Sequence, residues 1–306
     1  MRPSVVRLAV LLLLTVPQVS SSTCRVAAAP VPVQASPTAS APIAFPNRPG
    51  SLKFAVLGDF GTGRREQYEL AGQMASLHQR FPFELVVLVG DNILGGDSPR
   101  DYQRKFEIPY APLLDEGVRF YASLGNHDAR NQRFYGRFNM GGNLYYSFRA
   151  PEQSVRFFAL ESTYPEPRQI AWVDKELKDA AEDWKILFFH HPLYSSGETH
   201  GSQDQLRARL EPLFVQGNVS VVFSGHDHFY ERVKPQKGIT YFVVGSGGRL
   251  RRGNVDTRTG LTAKAFDTDL AFLAVEIWGD ELTFNAISRT GQIVDSGIIE
   301  RRRPLP

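Results

Sequence analysis

The sequence predicts an α/β domain in which two mixed sheets pack face to face with helices outside them, a four-layer αββα sandwich. Three observations carry this. Short β-rich runs recur from residue 53 to residue 287. Several are unbroken apolar runs, as strands buried on both faces require. Segments of helical periodicity separate the earlier runs, whereas the last strands follow one another directly, which calls for two packed sheets flanked by helices in one domain.

The runs are, in order, 53–57 (KFAVL), 84–89 (ELVVLV), 118–124 (VRFYASL), 144–149 (LYYSFR), 155–160 (VRFFAL), 185–189 (KILFF), 219–223 (VSVVF), 239–244 (ITYFVV), 271–278 (AFLAVEIW) and 282–287 (LTFNAI). Over 168–181, Ile170, Val173, Leu177 and Ala181 fall on one helical face. Over 203–215, Leu206, Leu210, Leu213 and Phe214 do the same.

The 306 residues are 42% hydrophobic and 22% charged, enough for one large domain with a substantial core. The net charge of +3 owes much to Arg2, Arg7 and Arg301 to Arg303, so the core domain is close to neutral. No region interleaves basic and aromatic residues as a nucleic-acid surface does, and no specific nucleic-acid binding is expected. Residues 1–29 read as a signal peptide: Arg2 and Arg7, then the short apolar run Leu8 to Val16, then small residues. The expected location is therefore periplasmic or extracellular. Cys24 is the only cysteine, which excludes an internal disulfide. Its place after the apolar run makes a lipoprotein signal ending at Cys24 the minority reading, and a membrane partner is expected only in that case. Residues 30–50, rich in Pro, Ala and Ser, read as a linker. Residues 51–300 form the folded domain.

Five strand ends turn abruptly polar. They read Gly58-Asp59-Phe60-Gly61, Gly90-Asp91-Asn92, Gly125-Asn126-His127-Asp128, His190-His191-Pro192 and Ser224-Gly225-His226-Asp227-His228. Ligands of open α/β sheets bind at the carboxyl ends of strands, so these groups are expected to converge. Each piece alone is ordinary turn chemistry. Together they form a set of oxygen and nitrogen donors suited to Zn, Fe or Mn. His226 and His228, two apart in extended chain, are expected to point to one side with Asp227 turned away. An Asp at a strand end is well placed to bridge two metals.

In this order the motifs resemble those of the calcineurin-like metallophosphoesterases, and the likeness spans about 170 residues of a single domain. Asp59-Phe60-Gly61 narrows it to the small purple acid phosphatases of the tartrate-resistant type, which carry Gly where the wider family carries a metal-binding His. The resemblance implies a metallophosphatase-like fold and a dinuclear centre of divalent or trivalent transition metals, Fe, Zn or Mn. It implies one metal held by Asp59, Asp91 and His228, and another held by Asp91, Asn126, His190 and His226. His190 is preferred over His191 because the family's ligand lies two before the proline. Strand alternation agrees, leaving His191 to packing. His127 is expected to contact the phosphoryl group or protonate the leaving alkoxide, with Asp128 orienting it and His200 as a second acid or phosphate contact. Arg64, Arg130 and Arg249 lie near the motif loops.

The chain departs from that pattern at Leu94, where purple acid phosphatases have a metal-bound Tyr. A weaker first site and no tyrosinate-to-iron colour follow, with Tyr102 or Asp97 as substitutes. The expected activity is an exported acid-phosphatase-like phosphomonoesterase acting on a phosphorylated small molecule or peptide. The alternatives are a phosphodiesterase acting on nucleotides or lipid headgroups, and a non-catalytic metal-binding protein with a degraded first site.

Overall fold

The computed structural model describes residues 44–303. The segment read as a signal peptide, with Cys24, lies outside the described residues. Thirteen strands build two sheets among them. They are β1 Leu52–Leu57, β2 Leu85–Val89, β3 Arg119–Ser123, β4 Tyr146–Arg149, β5 Val155–Ala159, β6 Trp184–Phe188, β7 Val221–Ser224, β8 Tyr230–Val233, β9 Thr240–Val244, β10 Thr262–Phe266, β11 Ala271–Trp278, β12 Glu281–Ser288 and β13 Ile293–Glu300. The α-helices are α1 Arg65–His78, α2 Pro99–Tyr102, α3 Ala111–Asp115, α4 Pro167–Asp179 and α5 Asp204–Gln216.

The first sheet runs β13-β12-β11-β1-β2-β3 and the second β10-β8-β9-β7-β6-β5-β4. In the first, β1, β2 and β3 are parallel and the rest antiparallel. In the second, β5, β6, β7 and β9 are parallel. One core fills the space between the sheets, where Phe54, Val87, Phe157, Phe188, Phe223 and Leu273 meet. A second lies outside the first sheet under α1, with Leu70 and Met74 against Val86 and Leu88. A third lies outside the second sheet under α4 and α5, with Val173, Leu177 and Phe214 against Phe158 and Leu187. The four layers are therefore those predicted.

Every expected strand is present, with ends shifted by one or two residues. Three strands were not expected. The sequences of β8 (YERV), β10 (TAKAF) and β13 (IVDSGIIE) have no apolar run, and β10 and β13 close the edges of their sheets, where only one neighbour and partial burial are needed. Helix α4 ends at Asp179, so Ala181 is exposed rather than on its apolar face. The end of the stretch read as linker is packed on the domain. Phe45 stacks on Phe81 at 4.0 Å. The buried Glu276 carboxylate accepts from Asn47 N at 2.8 Å, Arg48 N at 2.6 Å and Ser51 Oγ at 2.7 Å. A buried carboxylate needs such donors, and this chain segment supplies them.

Candidate metal centre

The carboxyl ends of β1, β2, β3, β6 and β7 meet at one edge of the sandwich. Asp59, Asp91, His190 and His226 each stand two residues beyond a strand end. Backbone bonds lock the loops together across the sheets: Asp59 N donates to Gly90 O at 3.0 Å, Gly225 N to His190 O at 2.9 Å and Gly247 N to Gly58 O at 2.9 Å. Asp59, Asp91 and His226 adopt φ of 54°, 51° and 70°. Left-handed backbone at non-glycine residues costs on the order of 1–3 kcal/mol each and persists where the surroundings impose it.

Asp59, Asp91 and His228 offer ligand atoms within 4.8 Å of one another. His228 Nε2 lies 3.4 Å from Asp59 Oδ1. A second group gathers on His190 Nε2, which lies 3.0 Å from Asn126 Oδ1, 3.1 Å from His226 Nδ1 and 3.5 Å from Asp91 Oδ1. Asp91 touches both groups. A Cβ on Gly125 would fall 2.2 Å from Asp91 Oδ1, so the glycine is what admits this carboxylate. A Cβ on Gly61 would fall 1.8 Å from the Asn92 carbonyl oxygen, so no side chain fits there without moving the loop.

The hydrogen-bond chemistry of this edge fits cations. His190 Nδ1 lies 3.0 Å from the Val89 carbonyl oxygen, which can only accept, so the ring hydrogen sits on Nδ1. Nε2 is then a lone pair aimed at the oxygen acceptors Asn126 Oδ1 and Asp91 Oδ1. Asp59 Oδ1 is buried with no hydrogen-bond donor, while its Oδ2 accepts from His226 N at 2.9 Å. Burial, then the Asp91 charge, pushes Asp59 well up, and burial also raises Asp91. Burial lowers His190 to about 3 and His226 to about 2. Burial, then the Arg251 and Arg249 charges, lowers His228 to about 4. Neutral imidazoles facing desolvated carboxylates are a metal-binding donor set.

Three sequence expectations need correction. His226 and His228 do not share a side through extended chain, since β7 ends at Ser224 and His226 is left-handed. That turn sends His226 toward His190 and His228 toward Asp59. His190 and His191 lie beyond β6, so strand alternation does not separate them. The ring of His191 stands 4.4 Å from that of His226, and His190, His191 and His226 form a second group of close ligand atoms. Asp128 does not orient the His127 imidazole. Its carboxylate accepts from Asn92 N at 2.8 Å, Ile93 N at 3.1 Å and Gly125 N at 2.9 Å, clamping the loop after β2 to the loop after β3. Burial and the Asp91 charge still push Asp128 up to about 7.

His127 is exposed, and its backbone N–H donates to Asp91 Oδ1 at 3.0 Å. The exposed His200 has its ring 4.2 Å from that of His226. Asp227 does turn away, as expected. It is fully buried and accepts from Ser195 Oγ at 2.6 Å and Gly201 N at 3.2 Å, which holds the loop bearing His200. Neither suggested substitute for the absent Tyr reaches in. Tyr102 packs against Tyr135 in a tilted ring pair with centroids 4.2 Å apart, and Asp97 is exposed and outside both donor groups. Leu94 is buried, its carbonyl accepting from the buried Lys105 Nζ at 2.6 Å. Arg130 lies 3.9 Å from Glu161.

A sandwich whose strand ends present two neighbouring donor sets sharing a carboxylate has the architecture of a two-metal hydrolase. The calcineurin-like phosphoesterase family matches residues 52–230, and the chain belongs to that family of phosphoester hydrolases. It is 24% identical over 289 residues to purple acid phosphatase 7 of Arabidopsis thaliana, covering 83% of this chain and 87% of that one. It is 28% identical over 238 residues to the tartrate-resistant acid phosphatase type 5 of Oryctolagus cuniculus, covering 64% and 73%. Among solved structures, the purple acid phosphatase PPD1 of yellow lupin superposes with TM-score 0.68 at 19% identity, covering 84% of this chain and 55% of that one. GAP50, the anchor in the inner membrane complex of Plasmodium, superposes with TM-score 0.70 at 20% identity, covering 83% and 90%.

Proposed function

We propose that the protein is an acid-phosphatase-like phosphomonoesterase with a dinuclear centre. Asp59, Asp91 and His228 would hold one metal, and Asp91, Asn126, His190 and His226 the other. The observation that carries this is the His190 Nε2 lone pair facing Asn126 and Asp91 oxygens beside a donor-less Asp59 oxygen. When bound, the pair supplies charge neutralisation at the phosphoryl oxygens and a water acidic enough to attack phosphorus. The protein's own part is position and proton transfer. The Gly90, Gly125 and Gly225 turns hold the donors, and the dry strand ends exclude bulk water from beneath the reacting phosphorus. His127, at the exposed mouth, is placed to protonate the leaving alkoxide. His200, above His226, is placed to hold a phosphoryl oxygen or donate a second proton. The kinship with tartrate-resistant and purple acid phosphatases supports a monoester of a small molecule or peptide over a diester. Export rests on residues 1–29 and is tested by comparing the N-terminus of secreted and intracellular protein.

A non-catalytic metal-binding protein is the second reading, favoured by the buried Leu94. One fold hosts unrelated functions, and the Plasmodium anchor shares this one. The deciding experiment is phosphate release from p-nitrophenyl phosphate by protein loaded with Fe, Zn or Mn, alongside metal content per chain. Turnover with two equivalents supports the phosphatase. Metal without turnover under any loading supports the binder.

A further inference from the structure

An arginine-rich groove adjoins the first donor cluster at His228. Its volume is about 610 Å³, and its wall includes His228 with Arg64, Arg249, Arg251, Arg252 and Arg289. Only Arg289 is neutralised, by Asp269 at 2.8 Å and by Glu69. Among the described residues, Arg64, Arg249, Arg251 and Arg252 have no carboxylate within ion-pair distance. The wall contributes just two carboxylates, the Arg289-bound Asp269 and Glu66.

Arg251 is the telling member. Its backbone N–H donates to the His228 carbonyl at 2.9 Å, which ties it to the residue closing the first donor cluster. Its Nη1 is buried with no hydrogen-bond partner. A buried guanidinium nitrogen without an acceptor is costly, and this guanidinium belongs to a residue that lines the groove, where an oxyanion is the acceptor such a group pairs with best. The loop cannot relax away, because a Cβ on Gly248 would fall 2.1 Å from the Phe60 carbonyl oxygen, so the chain leading to Arg249 lies hard against the loop after β1.

On the reading above, a metal pair would already meet the charge of one phosphoryl group. Four unpaired guanidinium groups along the adjoining wall exceed what a single phosphate needs. We propose that this groove binds a second phosphate carried on the leaving group, so that the preferred substrates are small molecules with two or more phosphates. This rests on the phosphomonoesterase reading above and adds to it the substrate class.

The test compares fructose 1,6-bisphosphate with fructose 6-phosphate, using metal-loaded full-length protein at low salt. The expected kcat/KM ratio favours the bisphosphate by about tenfold or more, as one added charge-assisted contact provides. The ratio should fall toward one in the Arg249→Gln/Arg252→Gln double variant and at high salt. A ratio near one in the parent protein overturns the proposal, as does a ratio unmoved in a variant whose thermal melt matches the parent. Should neither sugar nor p-nitrophenyl phosphate be hydrolysed, the phosphatase reading fails by itself. Calorimetry then decides the groove: about tenfold tighter binding of the bisphosphate keeps it as a polyphosphate site, and equal binding overturns it.

Discussion

The cluster of Asp59, Asp91 and His228 and the cluster around Asn126, His190 and His226 share Asp91 yet are built from different chemistry. The first is rich in carboxylate, has the apolar Leu94 in the loop beside it, and opens to the arginine groove through His228. The second is rich in imidazole, with His191 pressed against His226 and His190 anchored to the Val89 carbonyl. The difference teaches that two neighbouring cation sites need not be equivalent. On the proposed assignment, the carboxylate side would suit a harder cation with fewer ligands, and the imidazole side is expected to hold its cation more tightly.

The largest expected effect joins the two clusters rather than separating them. Asp91→Ala removes the carboxylate proposed to be shared and should lower p-nitrophenyl phosphate turnover by ~1000-fold or more, roughly 4 kcal/mol of barrier at 1.36 kcal/mol per decade. Turnover at the parent rate would mean that one cluster alone suffices.

Stepwise chelation should sharpen the contrast. Elemental analysis during dialysis against a chelator is expected to find one equivalent lost early and one late. His228→Ala should erase the early equivalent and His190→Ala the late one. Loss of both together would refute the inequality.

Acid separates the clusters in the same order. A histidine with a lowered pKa stays neutral as pH falls and gives up its metal only when protons compete near that pKa. His228 is lowered to about 4, His190 to about 3 and His226 to about 2. The imidazoles should therefore stay neutral donors well below the ordinary histidine range of about 6.5, so that protons compete first at the raised carboxylates and the cluster holding Asp59 empties at a higher pH than the imidazole cluster. Release of both equivalents near pH 6 would contradict this.

The smallest expected effect concerns the loop over the imidazole side. Ser195→Ala removes a bond to Asp227 that holds the His200 loop. A fall in kcat of about tenfold with metal content unchanged is expected, less than the roughly hundredfold or more that outright loss of an acid–base group costs. Unchanged kcat would leave His200 without a role in turnover.

Much of this was legible beforehand. The apolar runs named ten strands, and the polar residues just past them named Asp59, Asp91, Asn126, His190, His226 and His228, all of which converge at one edge. The edge strands β10 and β13 escaped because partial burial leaves little pattern to read. Arg251 escaped because one arginine beside two others, Arg249 and Arg252, reads as surface charge until its buried Nη1 is seen. Asp227 and Asp128 were visible as residues but not as clamps, since a carboxylate's partners come from loops distant in sequence.

By itself, the sequence determined which strands would be buried and which donor atoms their ends would carry, because apolar periodicity and residue chemistry are local properties. Only the tertiary structure decided how those donors divide. The left-handed turn at His226 sends it and His228 to different neighbours, and the position of His191 beyond its strand brings it into the imidazole group. The close approach of the Gly248 loop sets the arginines against the first cluster. Each outcome depends on packing between chain segments far apart in sequence, and no local pattern encodes it.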